Sequence, residues 1–267
     1  MLMTPFTPTW TLFLLVMLGF GVLLWAVLRH TPDRTRRATL VAVAVVNWAC
    51  STWFTFERIL DPTMPQFVFS QNWPFHFCTL VTFLLIPAMW LKPDPSKRWL
   101  FWVRPLHTLV FFPGTLAAFL VLCSPAAEYT ELPIFHTNTF FYLVHALNVL
   151  LPFVHSALGY YRPRYRDALL SLVWFLIVAI GVLAITVFAR TFVDPAANYM
   201  YFFDPMGAGI LVFLWDLIGI PVLYELPLVP ILAPVLLLMV AIHHGIERAA
   251  QRIGAGPLPA GAPSAEV

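Results

Sequence analysis

"DALLSLVWFLIVAIGVLAITVFAR", residues 167–190, carries a charge at each end and none between. About 20 mostly apolar residues suffice for a helix to cross a bilayer, and this run has them. It decides the fold because it has company. Comparable runs lie near 9–28, 38–56, 74–91, 99–123, 135–158 and 226–246, so the sequence predicts seven spans. Composition agrees. The 267 residues are 60% hydrophobic and 10% charged, against about a quarter charged in soluble domains. Ten tryptophans and an aromatic share of 16% suit ring belts at both membrane interfaces. The reading is a polytopic membrane protein, not a soluble enzyme.

The basic residues set a topology. Arg29, Arg34, Arg36, Arg37, Lys92, Lys97, Arg98, Arg104, Arg162, Arg164, Arg166, Arg248 and Arg252 fall in alternate loops, and only Arg58 and Arg190 fall in the others. The positive-inside rule then puts the N-terminus outside and the C-terminus in the cytoplasm. The expected architecture is an all-α bundle of seven transmembrane helices, one membrane domain over 1–247. The tail 248–267, rich in Gly, Ala and Pro toward its end, is expected to be disordered. The N-terminal run lacks a charged leader region and a cleavage site, so it reads as a retained span. In 198–225, Ile210, Phe213, Leu214, Leu217 and Pro221 recur at near-helical spacing. They predict a short external helix over 208–222, lying in the interface before the last span.

A net charge of +2 gives no reason to expect nucleic acid. Cys50, Cys78 and Cys123 show no metal-ligand spacing, and their odd number argues against a disulfide framework. No metal and no cofactor are expected.

Chemistry concentrates at "NWPFHFCTL", residues 72–80. Pro74 suits a first helical turn and Asn72 a cap, which places Cys78 in the second turn. A thiol there needs a base. His76 is two residues away and points elsewhere on a helix. His145 is the better candidate. It lies about 15 Å into its span by helical rise, against roughly 7 Å for Cys78. Asn148, at i+3, shares its face and is expected to fix its tautomer. His136, at the outer mouth of that span, is the alternative base. His107 also falls near mid-membrane, with Pro113-Gly114 beyond it as a kink. His30, His155, His243 and His244 read as interfacial, and Cys50 and Cys123 as packing residues. Glu57 is a candidate to orient a histidine and Arg58 to hold a phosphate.

Three stretches carry a resemblance: "WPFHFC" (73–78), "FFYLVHALNVLLPF" (140–153) and "NYMYFFDP" (198–205). Together they make the chain similar to the YwaF-like integral membrane family, whose animal relative is transmembrane protein 164. The likeness spans about residues 9 to 247. It implies acyl transfer onto lysophospholipids through a cysteine and a histidine, with Cys78 as the cysteine and His145 or His136 as the histidine.

The expected function is a membrane-embedded lipid acyltransferase, or acyl hydrolase, near the outer face of the cell membrane. Phospholipid or lysophospholipid esters are its expected partners. Cys78 is the nucleophile and His145 the base. His76 and Asn148 are candidates for the oxyanion, and Arg58, Asn198 and Tyr199 for the headgroup. The competing expectation is a non-enzymatic lipophile-binding protein, transporter or sensor.

Overall fold

The computed structural model describes residues 4–60, 75–92, 102–124, 138–205, 207 and 209–252. Among these the regular structure is entirely helical. The helices are α1 (Pro8–Leu28), α2 (Asp33–Leu60), α3 (Phe77–Trp90), α4 (Val103–Cys123), α5 (Asn138–Ala157), α6 (Tyr165–Phe192), α7 (Gly209–Ile218) and α8 (Leu228–Arg252). Six of them, α1, α2, α4, α5, α6 and α8, are long and apolar enough to cross a membrane. The expected third span is different. It forms a 14-residue helix, because His76 before it and Leu91 after it are both extended. Residues 253–267, most of the expected tail, lie outside the described residues, and α8 runs five residues past the expected boundary at 247.

Helix faces explain the packing. On α6 the buried positions are Asp167, Ala168, Ser171, Ala179, Val182, Thr186 and Ala189, mostly small, while Leu169, Val173, Ile177, Ile180 and Phe188 face outward. Small residues let membrane helices approach closely, and large apolar ones are at home in lipid. On α2 the buried stripe is Leu40, Ala44, Asn47 and Ser51, spaced for one helical face. That face packs on α3 and α5. The central cluster joins Val81, Leu85, Ala88 and Met89 of α3 to Leu109, Val110, Leu151 and Val154.

Within α4, Val110–Gly114 forms a π-turn containing Pro113, where the sequence predicted a kink. Proline has no N–H to give the regular ladder, so the wider turn absorbs the fault. Gly114 lets α4 touch α3. A Cβ there would stand 3.1 Å from both Val81 methyls and 3.2 Å from the Leu109 carbonyl.

One end of the bundle gathers the basic loops. Arg37 pairs with Asp33 at 2.8 Å and lies over the Trp90 ring. Arg104 holds Asp167 through both carboxylate oxygens, with Nε 3.0 Å from Oδ1. Arg162 meets Glu247 at 3.0 Å. Tyr160 donates to Asp33 at 2.8 Å. At the opposite end the Trp10 indole donates to the Leu122 carbonyl at 2.9 Å.

Between α6 and α8 the chain builds a cap. Helix α7 is shorter than the predicted 208–222 and stops at Gly219, whose φ of +64° closes it. Leu214 points inward at 2% exposure, while Ile210, Phe213 and Leu217 are exposed. That arrangement suits a helix at a lipid boundary. The preceding turn is strained, with Met200 and Tyr201 both at positive φ, as is Val222 opposite. Such backbone persists only when its surroundings over-determine it. Here the Val222 N–H donates to the Phe202 carbonyl at 2.7 Å, and the Tyr224 hydroxyl donates to the Tyr201 carbonyl.

Candidate functional site

The polar centre lies where α2, α3 and α5 meet. Asn148 is fully buried on α5, and its whole amide is engaged. Its Nδ2 donates to the Cys78 carbonyl at 3.0 Å and to Thr82 Oγ1 at 3.1 Å. Its Oδ1 accepts from Asn47 Nδ2 at 2.8 Å. Thr82 Oγ1 is 2.9 Å from the Cys78 carbonyl. Asn47 and Thr82 are also fully buried. An amide in an apolar interior is costly unless every group is paired, and this network pairs all but Asn47 Oδ1.

The expectation for Asn148 is therefore corrected. It does not fix the His145 tautomer and is not free for an oxyanion. The tautomer is set within α5, where His145 Nδ1 donates to the Phe141 carbonyl at 2.7 Å. A carbonyl only accepts, so Nδ1 carries the hydrogen and neutral Nε2 keeps its lone pair.

Cys78 is also not in the second turn. Helix α3 starts at Phe77 with His76 as N-cap, so Cys78 lies in the first turn. Leu80 N–H bonds to the His76 carbonyl at 2.9 Å, so the amides of residues 77–79 precede the helical ladder. The expected cap, Asn72, lies outside the described residues. Cys78 remains partly exposed.

Depth changes too. Asn148 is ten residues into α5, about 15 Å from its start, and Asn47 is 14 residues into α2, about 21 Å. The Cys78 carbonyl is level with both, so α3 stops halfway along its neighbours. The expected difference in depth between Cys78 and His145 shrinks to about one helical turn, because His145 precedes Asn148 by three residues on the same face.

Above α3 sits the strained turn of the cap. Tyr199 lies edge-on to Phe75 at 5.3 Å and to His76 at 6.0 Å, and the His76 ring is 5.3 Å from Tyr201. Tyr199 is fully buried, and its hydroxyl has no partner within the described protein. Burial, with a smaller push from the Asp194 carboxylate, raises this phenol to about 12. It therefore stays protonated at ordinary pH. Asn198 has a different task from the one expected. Its Oδ1 accepts from Phe203 N–H at 2.9 Å and its Nδ2 donates to the Asp204 carbonyl at 2.7 Å, so both ends are used inside the loop. Glu57 and Arg58 fall in the last turn of α2 with side chains outside the description, and His136 lies outside the described residues altogether.

A second cluster lies toward the basic end. His155 is not interfacial as expected. It is 2% exposed, and its ring centroid is 4.9 Å from that of His107, itself 3% exposed. His107 Nε2 donates to the Ala88 carbonyl at 2.8 Å. The sequence placed His107 near mid-membrane and His155 at the interface, and only packing shows that they meet.

Six helices long and apolar enough to span a bilayer, with two buried polar clusters packed inside the bundle, define a multi-pass membrane protein. The TMEM164 family model matches residues 3–241, nearly the whole chain, and the protein belongs to that family. No curated protein and no solved structure matches it at a significant level. Among the described residues, no group of three or more His, Cys, Asp or Glu side chains is disposed to hold a metal ion.

Proposed function

We propose that the protein is a lipid acyltransferase of the cell membrane that uses Cys78 as nucleophile and His145 as base. One observation carries this reading. Asn148 ties the Cys78 backbone to α5 one turn from His145, whose Nδ1–H is occupied and whose Nε2 lone pair is available. Nε2 accepts the thiol proton as sulfur attacks an ester carbonyl of a phospholipid. A C–S bond forms, and the collapsing tetrahedral intermediate breaks the C–O bond. The leaving lysolipid alkoxide takes the proton back from His145. A lysophospholipid hydroxyl then gives its proton to Nε2 and attacks the thioester, and the thiol is restored with that proton. The first-turn amides of α3 supply oxyanion donors. The neutral Tyr199 hydroxyl, buried above α3, is a further donor on the headgroup side.

The bundle in this reading crosses the membrane seven times, with α3 as the short crossing, the N-terminus outside and the basic end in the cytoplasm. Lipid esters then reach Cys78 from the outer leaflet.

The test uses the purified protein in liposomes holding a phospholipid with a fluorescent acyl chain and an unlabelled lysophospholipid. Transfer of the labelled chain is expected. Cys78→Ser and His145→Gln are each expected to lower it at least about 100-fold, the low end of general-base contributions, with thermal unfolding unchanged. A hydroxylamine-labile acyl group on Cys78 is expected in wild type. Undiminished transfer by Cys78→Ser would sink the reading, as would wild-type protein that neither transfers nor hydrolyses any headgroup class.

A further inference from the structure

His107 and His155 line a cavity with Ala88, Met89, Val110, Phe111, Pro152 and Tyr161, about 180 Å³ including its opening. Its enclosed part holds about one small guest. Two buried nitrogens in its wall have no partner within the described protein: Nδ1 of His107 and Nε2 of His155. The His107 tautomer is settled, since Nε2–H donates to the Ala88 carbonyl, so Nδ1 presents a lone pair. Histidines that ligate metals characteristically donate their other N–H to a backbone carbonyl in this way. The next residue after Ala88 is Met89, 1% exposed, whose thioether is a soft donor in the same wall. No carboxylate lines the cavity. A divalent ion there would have no counter-charge in a low-dielectric interior. A monovalent ion costs less to bury, and imidazole with thioether suits Cu(I). Phe111 and Tyr161, their ring centroids 5.5 Å apart, complete the wall.

We propose that this cavity is a site for one soft monovalent cation of the Cu(I) class, with the His107 and His155 nitrogens and the Met89 thioether as ligands. It is independent of Cys78 chemistry. His155 lies ten residues beyond His145 on α5, about 15 Å by helical rise.

The test uses the full chain in detergent with Cys50, Cys78 and Cys123 changed to Ser, because thiols compete for soft ions. Silver(I), which is redox-inert, is titrated into protein carrying ¹⁵N-labelled histidine. Of the eight histidines, the ring nitrogens of His107 and His155 are expected to move and to saturate at one equivalent. Copper(I) retention against a coloured chelator is expected to weaken at least 100-fold in His155→Phe and about tenfold in Met89→Leu. It is expected to hold in His155→Met, which keeps a soft donor, and in the His243→Gln/His244→Gln control. The proposal is overturned if other histidines respond, or if none does and the cavity takes water only. Retention unchanged in a folded His155→Phe protein would also overturn it. The silver-shift arm uses wild-type histidines, so it decides the matter even where a histidine variant fails to fold.

Discussion

Asn148 shows how one buried amide organises three helices. It serves the Cys78 carbonyl, Thr82 and Asn47 together. Leucine at 148 would have a similar volume and no polar atoms. Asn148→Leu therefore leaves Asn47 Nδ2 without its acceptor, and the expected cost is about 1–3 kcal/mol. Acyl transfer is expected to fall further than stability does, because the Cys78 backbone loses its tether. Thermal unfolding and transfer rate measured on one preparation check this. A variant with wild-type rate would show that the tether has no part in the chemistry. At this scale the sequence was half legible. His145 and Asn148 are three apart, so their shared face could be read. Asn47 could not be read as a partner, since it sits alone in an apolar run and meets Asn148 only through the α2–α5 contact. The Asn148 partner was misread for the same reason. Sequence spacing offers same-helix neighbours, and the real partner came from α3.

Element lengths were legible where both ends carry charges or caps, as in α6. Helix α3 was not, because nothing in the apolar letters of 74–91 marks His76 and Leu91 as extended. The α4 kink was legible in Pro113, but the use of Gly114 was not. Its role is the close approach of α4 to α3, and that is a property of two helices. Gly114→Ala is expected to destabilise the bundle by about 1–3 kcal/mol through overpacking. Val81→Ala in the same chain is expected to restore much of that loss, since the Val81 methyls are the nearest side-chain obstacle at 3.1 Å. A double-mutant cycle by thermal unfolding reads the coupling, and additive effects would refute the contact.

For the molecule as a whole, the charge bias was the most legible feature. The structure gathers Arg37, Arg104 and Arg162 at one end, each tied to a carboxylate. The proposed orientation puts Ala196, exposed before the cap, outside the cell and Arg34 inside. In a chain lacking the native cysteines, Ala196→Cys is expected to react with a membrane-impermeant maleimide on intact cells. Arg34→Cys is expected to react only after lysis. The reverse pattern would invert the topology and assign the lipid to the other leaflet. What composition and charge convey at this scale is an all-helical, multi-pass bundle whose basic loops share one end. They do not convey depth, because depth depends on which helix stops short.

The short α3 has a consequence for the bilayer itself. A 14-residue helix is about 21 Å long, while the hydrocarbon layer is about 30 Å thick. Where a hydrophobic segment is too short, the membrane dimples to meet it, at fractions of a kcal/mol per Å. In the proposed reading, with α3 as the short crossing, glycerol esters that normally ride at the rim of the oily layer would then be lowered beside the start of α3. A lipid acyltransferase built this way would fetch its substrate by bending the solvent around it, and thicker membranes would resist that indentation more.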